Sequence, residues 1–185
     1  MTKFAVVTAT IDVERAIPCM ESWRDHSVQP IAHYIVEQGH GAMASQRWIE
    51  ADESSKGTLQ AYEAPEILGT VPAFAIGVSK ALADGAEIIA CLHDDLEIEQ
   101  DGWDDEGRAV FRACPHAGLV GFGGATGLGE EGLYDRPYDP MSLVRKNFGS
   151  NMRHAEAHGE RWQGAQRVAC LDGFSQIGRR DFWQG

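Results

Sequence analysis

The most informative stretch of the sequence is a short apolar run that charged residues follow at once. Ile88 to Leu92 contains neither Pro nor Gly, and its length is typical of a strand buried on both faces. The next residues are His93, Asp94 and Asp95. Two neighbouring carboxylates repel each other, and burial destabilises them unless a positive group lies near. Two interpretations stay open here: a polar turn after a core strand, and a site for a metal ion with an anionic ligand.

A second apolar run begins almost at the first residue and predicts a βαβ unit. Phe4 to Thr10 reads as a strand, and His33 to Val36 reads as a second one. Between them, apolar residues at helical spacing predict a helix, with Asp12 as its N-cap. Pro18 indicates that the regular part of this helix begins near it. Strand, helix and strand in this order are typical of parallel strands joined by a right-handed crossover.

The clearest helical pattern lies just before the HDD strand. Thr70 is expected to cap this helix, and Gly85 is expected to end it. The apolar stripe on one face consists of Val71, Phe74, Ala75, Val78 and Leu82. Residues 60–63, 117–121 and 167–171 read as further strands, and residues 104–114 as a short helix. We therefore predict one α/β domain over residues 1–185, with a mostly parallel central sheet flanked by helices.

Net charge and the cysteine pattern limit the kinds of partner and compartment that we expect. The formal net charge of −12 argues against a long nucleic-acid footprint, which needs a basic face. The four cysteines form no CxxC pair, so we expect them to be reduced, buried and apolar in character, in a cytoplasmic protein. No signal peptide and no transmembrane segment are apparent in the sequence.

Polar or acidic residues lie at the ends of four predicted strands. In a mainly parallel sheet these strand ends meet at one edge, where α/β proteins bind ligands. The sequence therefore predicts a pocket for a divalent cation and a nucleotide, built from Thr8, Thr10, Glu37, Asp94, Asp95 and Asp172.

Two other motifs carry less weight. Gly121-Phe122-Gly123 begins like a dinucleotide fingerprint, but Thr126 stands at the third glycine position and no helix pattern follows. A flexible loop is the preferred interpretation. His154 and His158 are one helical turn apart, but the residue after His154 is not the Glu that a zinc protease requires. A solvated helix face is favoured over a metal site there.

Taken together, four segments resemble a GT-A-fold glycosyltransferase of the family-2 type. The match is spread over most of the chain, and the order of the segments is more specific than any one of them. The segments are FAVVTAT with Ile11-Asp12, HYIVEQG, LGTVPAFAIGVSKALADGAEIIACLHDDLEI, and VACLDGFSQIGRRDFW. The resemblance implies a Rossmann-like GT-A sandwich.

The resemblance also implies a reaction and roles for individual residues. The donor would be a nucleoside-diphosphate sugar, and Mn²⁺ or Mg²⁺ would bind its diphosphate. Asp95 matches the metal-contacting Asp of the DxD motif; His93 replaces the first Asp of that motif and is a candidate second ligand. Asp172 matches a strand end that can supply the base for an acceptor hydroxyl, which favours inversion. Donor contacts would come from Thr8, Thr10, Glu37, Asp94 and Arg179.

Two rival functions stay open. One is a nucleotidyltransferase with the same diphosphate and metal chemistry, although the turn after the first strand offers only Arg15 to hold a triphosphate. The other is a non-catalytic protein that binds nucleotide sugars or carbohydrates, favoured by His93 in the motif. The acceptor (glycan, lipid, protein or modified nucleic-acid base) and the oligomeric state are unassigned. Because family members extend past the Arg segment, the chain is compact, truncated or completed by a partner.

Overall fold

The computed structural model describes residues 3–39, 48, 57–125, 148–150, 160–161, 164–165 and 167–185. The helices in this part of the chain are α1 (Val13–Asp25), α2 (Thr70–Ala83), α3 (Trp103–Ala113) and α4 (Arg180–Gln184). The strands are β1 (Phe4–Thr10), β2 (Ile31–Gln38), β3 (Gly57–Ala64), β4 (Ile88–Leu92), β5 (Leu119–Val120), β6 (Gly123–Ala125), β7 (Phe148–Ser150), β8 (Glu160–Arg161), β9 (Cys170–Leu171) and β10 (Ser175–Arg179).

The main sheet has six strands in the order β3-β2-β1-β4-β10-β5. Its first four strands run parallel to one another, and β1 pairs with β2 on one side and β4 on the other. Strands β1, β2 and β4 are almost wholly buried, as expected of strands covered on both faces. The predicted fold class, a mostly parallel sheet flanked by helices, is confirmed.

Helix α1 begins earlier than the sequence indicated. The carboxylate of Asp12 accepts a hydrogen bond from the backbone N–H of Arg15 and caps the helix, as predicted. The helix nevertheless begins at Val13, so Pro18 lies inside it. The expectation that the regular helix begins near Pro18 is therefore wrong, because the cap at Asp12 already fixes the first turn.

Helix α2 has the predicted extent, and its buried face overlaps the predicted stripe only in part: Val78 is buried, and Phe74 and Leu82 pack against the core. Its N-cap is Gly69, without a side-chain cap, so the expected capping role of Thr70 is wrong. Val71 is 77% exposed, although the apolar stripe placed it in the core. The residues buried on this helix are mostly small: Ala73, Gly77, Val78 and Ala81. Small side chains bring the helix backbone close to the sheet, and that close approach decides which face is buried.

Contacts between residues divide the chain into two units, and the prediction of a single domain stays a prediction. The first unit comprises Met1–Leu119 with Ile177–Gly185, and the second comprises Val120–Gln176. The second unit holds a four-stranded sheet in the order β8-β7-β6-β9. The strand expected over 167–171 is shorter there, since β9 spans only Cys170–Leu171. Two sequence predictions lie mostly outside the described residues. They are the solvated helix face with His154 and His158, and the flexible loop that begins at Gly121.

The four cysteines are free, but they are not all buried. Cys19 and Cys91 lie in the core, Cys170 is half-buried and Cys114 is exposed. Burial raises the pKa of the Cys19 thiol to about 11 and that of Cys91 to about 12, so both are uncharged thiols at neutral pH. The expectation that all four are buried is wrong for Cys114, which follows the last turn of α3. Among the described residues, no helix combines the length and the apolar character that a membrane span requires.

A buried histidine of β2 packs against helix α1. His33 on β2 is fully buried, and neither of its ring nitrogens has a hydrogen-bond partner among the described residues. Its ring stacks on Trp23 of α1, with centroids 6.1 Å apart and planes 2° from parallel. Burial, and then the charge of Arg24, lower the pKa of His33 well below 6.5. His33 is therefore neutral in the folded protein.

We expect this histidine to make the fold sensitive to mild acid. The unfolded chain takes up a proton near pH 6.5 and the folded chain does not, so the stability contribution is present above that pH and is lost as the pH falls below it. Between about pH 7.5 and pH 5.5, His33 should lower the free energy of unfolding by about 1.4 kcal/mol. Urea titrations at both pH values should show this loss in the wild type and in His26→Gln, a surface control. His33→Leu should abolish it, and an equal loss in His33→Leu would contradict the assignment.

Candidate functional site

The site lies where the strand order reverses. Chain connections lead from β1 to β2 on one side, whereas β4 is the neighbour of β1 on the other side. In open α/β sheets the crevice outside the carboxyl ends of two such strands is the usual place for a ligand. The hydroxyl of Thr8 ties these ends together by donating to the carbonyl oxygen of Leu92 at 2.8 Å.

Asp94 is the centre of a small buried polar cluster. Its Oδ2 accepts a hydrogen bond from the Thr10 hydroxyl at 2.6 Å, and the Thr10 oxygen accepts one from the backbone N–H of Asp12 at 2.9 Å. One guanidinium nitrogen of Arg15 lies 2.9 Å from Oδ1 and 2.7 Å from Oδ2 of the same carboxylate. The hydrogen bond and charge of Asp94 raise the pKa of Arg15. Arg15 thus supplies the positive group that a nearly buried carboxylate requires.

His93 and Asp94 directly follow β4, and their side chains contact different helices. Asp94 faces α1 through Arg15, whereas the ring of His93 lies 6.1 Å from that of Phe74 on α2. Asp95 follows in a turn, and its side chain is 62% exposed. Its Oδ1 lies 4.0 Å from Nδ1 of His93. One imidazole nitrogen and one carboxylate oxygen therefore lie close together just after the carboxyl end of β4.

These two side chains suit a divalent cation by donor type, since imidazole and carboxylate are both ligands of Mn²⁺. Within the described residues no group of three or more His, Cys, Asp or Glu side chains is placed to hold a metal ion. Asp94 is already engaged by Arg15 and Thr10. His93 and Asp95 thus form an incomplete donor set, which a ligand with its own oxygens can complete.

Helix α1 fixes the loop that follows the HDD residues. The indole N–H of Trp23 donates to the carbonyl oxygen of Leu96 at 2.6 Å, and the hydroxyl of Ser22 accepts from the backbone N–H of Ile98 at 3.1 Å. Trp103 in turn donates its indole N–H to the backbone of Trp23 at 2.9 Å. The same helix therefore positions Arg15 and this loop, so the site is held by regular secondary structure.

Glu37 extends the edge along β2, where it is the register partner of Thr10. Its side chain is buried, and its Oε2 accepts a hydrogen bond from the indole N–H of Trp48 at 2.9 Å. Its Oε1 is buried and has no hydrogen-bond partner within the part of the chain that the structure describes. An unpartnered buried carboxylate oxygen is costly, so this atom calls for a donor group that a ligand can provide.

Asp172 belongs to the second unit and ends β9. Its Oδ1 accepts a hydrogen bond from the backbone N–H of Phe174 at 3.3 Å, the geometry of an Asx turn. Its own backbone N–H donates to the carbonyl oxygen of Gly123 at 2.9 Å. This turn engages one of the two carboxylate oxygens.

Arg179 does not join the residues around Asp94. Its guanidinium donates to the carbonyl oxygens of Pro115 and Ala117 and lies over the Phe111 ring. The backbone N–H of the next residue donates to Glu87, which directly precedes β4. Arg179 therefore lies towards the amino end of β4, whereas Asp94 follows its carboxyl end, and its expected contact with the donor has no structural support.

Sequence reasoning missed two residues of this edge. Arg15 was noted only as a lone basic residue, and its contact with Asp94 spans 79 positions. Its place in the first turn of a helix that begins at the strand end was the available signal. Trp48, the partner of Glu37, lies in a stretch of the sequence with no clear helical or strand period. The sequence therefore gives no indication that Trp48 contacts Glu37.

No protein-family model and no curated protein matches the sequence. Solved structures do match the fold. S. aureus TarS 1–349 in complex with UDP-GlcNAc is 17% identical with a TM-score of 0.50, and the match covers 64% of this chain and 33% of that one. The mannosyltransferase PcManGT from Pyrobaculum calidifontis, in complex with GDP-Man and Mn²⁺, is 15% identical with a TM-score of 0.55, covering 97% and 45%.

A 4-diphosphocytidyl-2C-methyl-D-erythritol synthase from Anaerococcus prevotii is similar as well. It is 8% identical with a TM-score of 0.50, and the match covers 97% of this chain and 72% of that one. The chain spans less than half the length of the two transferase structures. At these identities the likeness concerns the fold, and it confirms the one implied by the sequence: the chain has a GT-A-like, Rossmann-type α/β fold.

Proposed function

We propose that this protein is a divalent-metal-dependent glycosyltransferase that moves a sugar from a nucleoside-diphosphate sugar to an acceptor hydroxyl with inversion. The observation that carries the proposal is the edge between β1 and β4. There a buried Asp94–Arg15–Thr10 cluster adjoins the exposed pair His93 and Asp95. Support comes from neighbours of the same fold that were solved with UDP-GlcNAc, and with GDP-Man and Mn²⁺.

Each residue of the edge has a role in this proposal. His93 and Asp95 would hold Mn²⁺ or Mg²⁺, which as a Lewis acid offsets negative charge on the departing diphosphate. Arg15, anchored by Asp94 and half-exposed, presents a guanidinium to the donor's phosphates. Thr8 and Thr10 fix the ends of β1 and β4 on which this geometry depends. The free Oε1 of Glu37 would accept a hydrogen bond from the nucleoside.

Asp172 is the proposed base. Its Asx turn fixes the side chain through Oδ1, and Oδ2 would take the proton of the acceptor hydroxyl as that oxygen attacks the sugar. A single carboxylate in this role corresponds to direct displacement and hence inversion. The cytoplasmic location inferred from reduced cysteines belongs to the same proposal.

A donor screen tests the proposal. Calorimetric binding and thermal unfolding would be measured with UDP-, GDP- and dTDP-sugars, each with and without Mn²⁺, together with release of free nucleoside diphosphate. A donor at about 100 times its Kd should stabilise the fold by about 2.7 kcal/mol, or about 5–10 °C in Tm. We expect one donor to produce this shift only with Mn²⁺.

Two variants assign the roles in that assay. Asp95→Asn should abolish the Mn²⁺-dependent part of the shift, whereas Asp101→Asn, at an aspartate that is 91% exposed, should preserve it. Asp172→Asn should keep donor binding and lose turnover. Donor binding that is the same with and without Mn²⁺, and the same in Asp95→Asn as in the wild type, would refute the proposed metal dependence.

A nucleotidyltransferase is the second candidate. The erythritol synthase, a nucleotidyltransferase, is the neighbour whose own length this chain covers best among the three described. Against it, the turn after β1 offers only Arg15 to hold a triphosphate and contains no Gly-rich loop. Release of pyrophosphate from a nucleoside triphosphate and a sugar phosphate, with no donor turnover, would favour this alternative. Donor binding without any turnover would instead indicate a non-catalytic binding protein.

A further inference from the structure

A concave site lies at the opposite end of β4 from the HDD residues. It is a cavity of about 410 Å³ within the first unit, a size within the range of small-molecule sites. Its lining consists of Glu87, Ile88, Arg108, Phe111, Arg112, Arg179, Arg180 and Asp181. Because β4 has five residues, this cavity is roughly 16 Å from the HDD edge along the strand, too far to share one small ligand with it.

Four of the eight lining residues are arginines, in a chain with a formal charge of −12. Arg108 is neutralised, since Asp104 and Asp105 lie 2.6 and 3.0 Å from its guanidinium. Among the described residues, no carboxylate forms a salt bridge with Arg112, Arg179 or Arg180. Three uncompensated guanidinium groups thus face two exposed carboxylates, which leaves a local excess of positive charge.

Two of these guanidinium groups are fixed in place. Arg180 donates to the carbonyl oxygens of Ala86 and Leu82, both at 3.2 Å, at the end of α2. Arg179 is held by the carbonyl oxygen of Ala117 at 2.9 Å and lies 5.4 Å from the centroid of the Phe111 ring. Neutral carbonyl groups orient a guanidinium without removing its charge. The cations are therefore positioned before any ligand arrives, which lowers the entropic cost of binding.

We propose that this cavity binds a phosphate-bearing small molecule. Guanidinium groups match phosphate oxygens in geometry as well as charge, and the phosphate would contact Arg112, Arg179 and Arg180. Ile88 and Phe111 give the cavity an apolar wall for the rest of the ligand. The site is independent of the proposed transferase reaction and of its residues.

Chemical-shift mapping of the ¹⁵N-labelled protein tests the proposal, with inorganic phosphate and pyrophosphate as the probes. Pyrophosphate should move the amide signals of residues 86–88 and 177–181, and the Nε–Hε signals of the cavity arginines. Signals of residues 93–96 should stay unchanged in the absence of a divalent metal. Citrate serves as the comparison: binding of citrate with no binding of either phosphate probe would overturn the phosphate assignment.

Two substitutions of opposite expected sign make the test specific. Arg112→Gln, at an exposed position of α3, should weaken pyrophosphate binding about tenfold. Glu87→Gln removes an exposed carboxylate from the lining and should strengthen it severalfold. Lys80→Gln makes the same change in charge as Arg112→Gln outside the lining and should leave the Kd unchanged. Equal affinities in all four proteins, or shifts centred on residues 93–96, would overturn the proposal.

Discussion

Asp94→Asn is expected to weaken productive donor binding strongly while leaving the fold intact. Asn keeps the size of the side chain and can still accept from Thr10, but it lacks the charge and the second oxygen that hold Arg15. Charge-assisted hydrogen bonds of this kind contribute about 1.5–3 kcal/mol. We therefore expect donor affinity or kcat/KM to fall about 10- to 100-fold.

The stability cost of the same substitution should be smaller. Arg15 is 47% exposed at its side chain, so water solvates its guanidinium once Asp94 is neutral, and solvent screening already weakens the pair. We expect the free energy of unfolding to fall by about 1 kcal/mol, or a few degrees in Tm. Glu97→Gln makes the same chemical change at an exposed position of the following loop and is the control. Unchanged donor affinity in Asp94→Asn would remove this cluster from the proposed site.

A double-mutant cycle separates positioning from contact. If Asp94 acts on the donor only through Arg15, then Arg15→Gln and the double variant with Asp94→Asn should lose the same donor affinity, since the second change has nothing left to disrupt. Additive losses would show that Asp94 touches the donor itself. The comparison requires titrations of the wild type, both single variants and the double variant.

The residues on the edge were predictable from the sequence, whereas the pairs that they form were not. A short apolar run without Pro or Gly, such as Ile88–Leu92, is typical of a buried strand. The polar residues that follow it then mark the strand's end. Arg15 and Asp94 are 79 positions apart, and no periodicity reports which side chains meet across such a separation.

The resemblance to the DxD motif gives His93 and Asp95 to a metal ion and Asp94 to a donor contact. Because β4 ends at Leu92, the alternation of side chains along the strand does not determine where these three side chains point. The structure pairs His93 with Asp95 at 4.0 Å and assigns Asp94 to Arg15 instead.

Helix α2 shows why hydrophobicity alone misplaces a buried face. Of the predicted stripe, Val78 is buried and Phe74 and Leu82 pack against the core, but Val71 is 77% exposed. The face that packs on β1 and β2 is instead built from residues small enough to let two backbones approach. Volume rather than hydrophobicity decides the contact, and Gly77 is the position where this matters most.

Gly77→Ala is therefore expected to destabilise the protein, although alanine is the better helix former. A Cβ at this position would lie 2.3 Å from Cγ1 of Val7 and 3.4 Å from Cγ2 of Val36, so the helix or β1 must move. Overpacking of this kind costs about 1–3 kcal/mol or more, which exceeds the gain of about 1 kcal/mol in helix propensity. We expect a net loss of about 1–2 kcal/mol in the free energy of unfolding.

Gly107→Ala is the matched control because the added Cβ there makes an ordinary contact without a clash. Gly107 is also helical, on α3, and an added Cβ would lie 3.8 Å from the nearest atom of Ile177, an ordinary contact distance. This variant should gain up to about 1 kcal/mol. Urea titrations of both variants should thus give opposite signs. Since β1 carries Thr8 and Thr10, Gly77→Ala should also weaken donor binding, whereas Gly107→Ala should preserve it. Stabilisation by both substitutions would mean that α2 does not pack on β1 as closely as the structure shows.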